Sequence, residues 1–165
     1  MILIGIGSNL ASVAGPPIAT CTQALVHLMS LGVNVVSRSP WYETAPVPVS
    51  DQPWFANGVV EVTTNLEPLA LLDVLQAVEA EFGRVRGEKD AARTLDLDLL
   101  AYNHVIFDNP RLILPHPRLH ERAFVLFPLR DLAPNWRHPR LGLTAMEMAD
   151  RLPPGQQLRR FGGNP

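Results

Sequence analysis

A chain of 165 residues is long enough to bury one substantial core and short for two domains, and its 47% hydrophobic and 18% charged content excludes a disordered protein. Fourteen basic against sixteen acidic residues, a formal net charge of −2, exclude a global attraction to nucleic acid or to an anionic membrane. The single cysteine, Cys21, excludes an internal disulfide and any all-cysteine metal site.

In chain order, the opening MILIGIGSNL carries no basic leader, and no stretch reaches the ~20 apolar residues of a membrane span. A cytoplasmic protein is expected, with neither membrane nor nucleic acid as partner. ILIGIG reads as a first strand ended by GSN. A helix is predicted over 17–31, with Leu25, Leu28 and Met29 on one face, Cys21 as a buried, inert thiol, and Gly32 as the stop. VNVVSRSPWYE is rich in strand formers. TAPVPVSDQP cannot be regular structure, because Pro46, Pro48 and Pro53 each remove a backbone donor.

WFANGVVEVTTN reads as the next strand. EPLALLDVLQAVEAEFG is the strongest helix: Pro68 stands at its start, Leu71, Leu75, Val78 and Phe82 form the core stripe, and Gly83 ends it. A charged loop, RVRGEKDAA, leads into the strand RTLDLDLL, which Asn103 and His104 are expected to turn back into VIFDN as a hairpin. A loop, NPRLILPHPRLHER, then precedes the helical run AFVLFPLRDLA and a short helix begun by Thr144. The order strand, helix, strand, strand, helix, strand predicts an α+β fold, a ferredoxin-like α/β sandwich with an antiparallel sheet. The additional C-terminal helices would lie over one side of that sheet.

Chemistry concentrates in RTLDLDLL. Alternate strand residues share a face, so Leu95, Leu97 and Leu99 point one way while Thr94, Asp96 and Asp98 point the other. The two aspartate Cα atoms would stand ~6.6 Å apart. Charges at about that distance repel by about 3 kcal/mol at an effective dielectric of 20. Taken alone, the pair fits either a solvated surface, with arginines nearby, or a divalent-cation site of hard oxygen ligands.

Arg84, Arg86, Lys89 and Arg93 form a local cationic patch, either a solvated loop or a phosphate site. No GxxxxGK[ST] motif exists, so a P-loop is excluded, and GIGSN lacks the third glycine of a dinucleotide fingerprint. Gln76 and Glu79, at i and i+3 off the leucine stripe, read alone as solvated surface. His116 and His120 are separated by Pro117 and match no zinc helix. Trp54, Phe55 and Phe124 read as core packing, with stacking on a flat ligand as the alternative.

The ordered set GIGSNL, YETAPV, DQPWFANGVV, EAEFGRVR, RTLDLDLL and LPHPRLHERAFVLFPLRDLAP, spanning most of the chain from Ile4 to Pro134, resembles the 6-hydroxymethyl-7,8-dihydropterin pyrophosphokinases of folate biosynthesis. The resemblance implies a single pyrophosphokinase domain over 1–165 with a loosely ordered tail, acting as a monomer, a homodimer being the alternative. It implies ATP and a hydroxymethyl-dihydropterin as small-molecule substrates, and two Mg²⁺ ions held by Asp96 and Asp98. By the same resemblance, Thr44, Ala45, Pro46, Val47, Phe55, Asn57 and Phe124 would bind the pterin. Gln76, Glu79, Arg86, Leu99, Arg111, His116 and Arg122 would bind ATP. Arg86, Arg93, His116 and Arg122 would join the aspartates in catalysis, with Lys89 beside Arg93 on a closing loop. The chain departs from the family pattern at DAAR, which looks one residue shorter, at Phe55, where tyrosine is common, and at Pro117. A two-metal nucleotidyl transferase on a similar fold is the rival enzyme reading, and an RNA-binding module the non-catalytic one.

Overall fold

The computed structural model describes residues 1–10, 15–46, 48–51, 53–83 and 94–161. Its elements run β1 (Ile2–Ser8), α1 (Pro17–Ser30), β2 (Asn34–Arg38), β3 (Tyr42–Thr44), β4 (Phe55–Thr63), α2 (Pro68–Glu81), β5 (Asp96–Tyr102), β6 (Phe107–Asn109), β7 (Leu112–Leu114), α3 (Ala123–Leu132), α4 (Ala145–Asp150) and β8 (Leu158–Arg160). Both long helices start at a proline whose missing N–H has no intrahelical role there. Both are followed by a glycine at positive φ, Gly32 at 84° and Gly83 at 85°, a conformation that stops a helix at little cost only for glycine.

The main sheet is antiparallel in the order β5-β1-β4-β3-β8, with β2 also pairing with β4. This is the expected α+β sandwich. Because β1 is central and apolar on both sides, helices cover both faces of the sheet. Ile2, Ile4 and Ile6 join Leu95, Leu97 and Leu99 in a core beneath α1 and α2. Leu3, Val59, Leu100 and Ala101 pack on the other face against α3 and α4. Leu100 is an extra residue opposite β1, since Leu3 pairs with Ala101 and Ile4 with Leu99. That bulge puts two successive residues, Leu100 and Ala101, into the same core.

Four expectations change in detail. The buried face of α1 is Cys21, Ala24, Leu25 and Leu28, while Met29 is 51% exposed. Burial pushes the Cys21 thiol up to about 12, so it is inert as expected. The stretch read as one strand before the proline loop is two, parted at Ser39-Pro40. The Ser39 hydroxyl accepts the Val59 N–H at 3.0 Å and bridges the gap. Asn103 does reverse the chain, at φ 53°, but β6 pairs with β7 and not with β5. Burial of Leu112 and Leu114 secures that pairing, whereas Val105 and Ile106 stay exposed. Finally, the tail adds a strand, β8, to the sheet edge at β3. Among the described residues no helix is long and apolar enough to cross a membrane.

Candidate active site

Asp96 and Asp98 share one face of β5, half-buried, on the side of the sheet that α3 covers. They lie opposite Gly7 and Gly5 of β1. The intervening Leu97 is buried beneath the helices, and its N–H donates to Glu79 Oε2 at 2.9 Å. Glu79 is only 3% exposed, which corrects the reading of a solvated helix flank. A buried carboxylate needs hydrogen-bonding partners, and this one fixes α2 against β5 between the two aspartates.

Along the same row, Gly7 pairs with Asn57 and Asn57 with Tyr42. A Cβ on Gly7 would meet Asn57 Oδ1 at 2.3 Å, so the glycine lets the amide lie across β1. Asn57 Nδ2 donates to Thr44 Oγ1 at 2.6 Å, and both side chains are buried. Phe55, two residues before Asn57 and so on the same face, is half-buried opposite Thr44. The Ala45 N–H donates to the Gln157 carbonyl at 2.9 Å, and Pro46 follows it out of the sheet. Asn9, buried just after β1, donates to the Pro53 carbonyl at 3.1 Å and ties the proline loop to the sheet. Sequence reasoning passed over Asn9. An amide directly after an apolar strand and its glycine was the available signal.

The other wall comes from the chain after β7. The His116 N–H donates to the Leu100 carbonyl at 2.8 Å, and His116 Nδ1 accepts the Arg118 N–H at 3.2 Å. Burial, helped by the Arg122 guanidinium and opposed by Asp96, pulls the imidazole down to about 4. A neutral ring whose Nδ1 accepts carries its proton on Nε2. His116 therefore offers a hydrogen-bond donor in its neutral form. Arg122 precedes the first residue of α3 and lies 5.3 Å over the ring of Phe124, which is half-buried.

The structure thus brings Asp96, His116 and Arg122 together, and sets Thr44, Phe55 and Asn57 on the sheet face beneath α3. Gln76 is half-buried on α2, one turn before Glu79. Arg111 stands at the β6–β7 hairpin, its guanidinium paired with Asp73 of α2 and its N–H donating to Asn109 Oδ1 at 2.9 Å. The Leu99 side chain is 3% exposed within the core, so only its main chain could meet a ligand. Trp54 is 41% exposed beneath Arg159 at 5.5 Å and is not core. Val47, Arg86, Arg93 and Lys89 lie outside the described residues. Among the described residues no three His, Cys, Asp or Glu side chains gather as a metal cage. Two carboxylates fit a Mg²⁺ completed by water and phosphate oxygens, which needs no such cage.

Residues 3–134 match the model of the family described as 7,8-dihydro-6-hydroxymethylpterin-pyrophosphokinase. A 2-amino-4-hydroxy-6-hydroxymethyldihydropteridine pyrophosphokinase of Pseudomonas aeruginosa is 46% identical over 138 residues, covering 84% of this chain and 83% of the relative. Its counterpart in Methylorubrum extorquens is 42% identical over 133 residues, 80% and 82% of the two chains. Among solved structures, a wild-type Plasmodium falciparum HPPK-DHPS superposes with a TM-score of 0.67 at 15% identity, over 91% of this chain and 43% of that one, a likeness of fold. With the family model matching most of its length and close relatives covering more than four-fifths of it, the chain belongs to the 7,8-dihydro-6-hydroxymethylpterin-pyrophosphokinase family.

Proposed function

We propose that the chain transfers the terminal pyrophosphoryl group of ATP to the hydroxymethyl oxygen of 6-hydroxymethyl-7,8-dihydropterin, releasing AMP. The observation that carries this reading is the pair Asp96 and Asp98 on one sheet face, with His116 and Arg122 beside Asp96. In such a transfer the alcohol oxygen bonds to the β-phosphorus, the bond from that phosphorus to the α–β bridging oxygen breaks, and that oxygen leaves on AMP. The alcohol proton passes to solvent. Positioning and charge neutralisation dominate such a step, with little covalent work for the protein.

Each residue has a physical task in this scheme. Asp96 and Asp98 would hold two Mg²⁺ ions, which when bound offset phosphate charge and align attacking and leaving oxygens. Arg122 supplies a fixed cation toward the phosphates, and His116 donates from Nε2. Gln76, Arg111 and the Leu99 main chain would hold the rest of ATP. Phe55 and Phe124 would stack on the pterin faces, with Asn57, Thr44 and the Ala45–Pro46 main chain reading its polar edge. Arg86 and Arg93, by their charge, and Val47, by its place beside Pro46, complete the two sets.

Incubation with Mg-ATP and the dihydropterin tests the proposal, with AMP and the pterin pyrophosphate as expected products. Release of free pyrophosphate would instead identify nucleotidyl transfer and overturn it.

A further inference from the structure

Gln156 stands in the chain's last segment, beyond residues 3–134 that the family model matches. Its side-chain amide makes two bonds to a distant stretch of main chain. Nε2 donates to the Glu121 carbonyl at 3.0 Å, and Oε1 accepts the Ala123 N–H at 2.8 Å. The residue enclosed between these two contacts is Arg122. Ala123 opens α3, and Arg122 provides no side-chain cap for that helix. The first N–H groups of a helix lack intrahelical acceptors, so a side-chain oxygen delivered from elsewhere stabilises the helix start. Gln156 is that acceptor, supplied from 33 residues away.

The two residues that follow grip the opposite wall. The Gln157 carbonyl accepts the Ala45 N–H, and Leu158 pairs with Thr44 across the sheet edge. Three successive residues therefore join the start of α3, which carries Arg122 and Phe124, to the strand end that carries Thr44 and Ala45. We propose that Gln156 is a positioning residue for the transfer reaction, clasping the main chain on both sides of Arg122 and so setting where Arg122 and Phe124 stand over the sheet. The proposal rests on the pterin and ATP reading above. An amide suits the task because it offers a donor and an acceptor side by side, matching the carbonyl and N–H on either side of one residue.

The test uses the full chain with Gln156→Ala, the near-isosteric Gln156→Met, which keeps length but loses both bonds, and Gln157→Ala as the neighbouring control. Each is assayed for kcat, for KM toward both substrates, and for hydrogen exchange at the Ala123 amide. Loss of two hydrogen bonds around the site corresponds to about a tenfold fall in kcat/KM for the pterin. KM for ATP, which has contacts on several other elements, is expected to change less than about twofold. Exchange at Ala123 quickens in both Gln156 variants, and Gln157→Ala matches the unmodified chain. Unchanged kinetics in both Gln156 variants, or a loss that merely tracks the folded fraction at constant KM, overturns the proposal. Unchanged exchange at Ala123 overturns the clasp itself. An unmodified chain that is inactive with both substrates overturns the reaction reading, whereas quickened exchange in the variants would still support the clasp.

Discussion

Asp96 and Asp98 are held in place by their neighbours. The leucines on either side of each are buried, and the Leu97 N–H is engaged by Glu79, so the strand has little freedom to turn the carboxylates away. Two carboxylates on one strand face are hard oxygen ligands, which suits a divalent cation held between them. Asp96→Asn and Asp98→Asn are each expected to lower turnover about 10²–10³-fold, the range for losing one electrostatic contact. The melting temperature should change little beside that loss. A thermal melt beside the AMP assay checks both, and a melt that collapses together with activity would mark the aspartates as structural.

His116 gives a second residue-scale prediction. Its folded pKa of about 4 lies below the ordinary histidine value of 6.5, so between those limits the unfolded chain binds the additional proton. The stability it contributes is therefore complete above pH 6.5 and drains away as pH falls toward 4. In the ligand-free protein, an NMR titration should leave the His116 ring resonances flat from pH 8 to about pH 5.5. A midpoint near 6.5 would show that the ring is not buried as described.

At the scale of elements, the pairing of β1 with β4 depends on one absent side chain. Gly7→Ala would drive a Cβ into Asn57 Oδ1, a contact at 2.3 Å that the rigid sheet can relieve only by displacing the amide. Overpacking of this kind costs about 1–3 kcal/mol. It would also disturb the hydrogen bond from Asn57 to Thr44. Denaturant unfolding and calorimetric titration with pterin should both show the loss, whereas Gly5→Ala, meeting Leu100 at 3.4 Å, should be milder in both.

The same scale separates what the sequence made readable from what it hid. The six core elements and the shared face of the aspartates follow from period-two and period-3.6 patterns, which burial enforces. The turn of the α1 face away from Met29 toward Ala24 and Cys21 was invisible because Met is as apolar as the residues buried in its place. Strand β8 was hidden because LRR lacks an apolar period; its backbone finds partners only once β3 presents an open edge. The burial of Glu79 was hidden for a related reason. Its acceptor role depends on the Leu97 N–H of another element, and nothing within α2 announces it. Asn57 and Thr44, grouped in the sequence only by the family motifs, lie adjacent because one strand pair supports both.

Across the whole molecule, the second core is tied to the sheet edge through polar groups as well as apolar packing. The Tyr42 hydroxyl donates to Asp131 at the end of α3, and Arg160 of β8 pairs with the same carboxylate at 3.0 Å. Burial, more than any charge nearby, raises the Tyr42 phenol above its usual range, so it remains a donor at every ordinary pH. Three elements thus meet at one side chain that is 11% exposed. Asp131→Ala should cost about 1–3 kcal/mol, the desolvation of partners left without an acceptor. Chemical denaturation measures it, and a change below a few tenths would show that packing alone holds α3 to β3.

The extra residue in β5 gives the molecule a property that no single contact describes. Before Leu100, odd-numbered residues face α1 and α2; after it, Tyr102 packs there and Ala101 faces α3. The strand is two half-strands of opposite phase, one aiming the carboxylates and the other anchoring the chain to the second core. The direction in which the negative charge points is therefore stored as a parity. Substituting Leu100 alters only the packing, and deleting it would remove the bulge and leave one regular strand, with Leu99 still opposite Ile4, Ala101 still opposite Leu3 and the aspartates still facing α3.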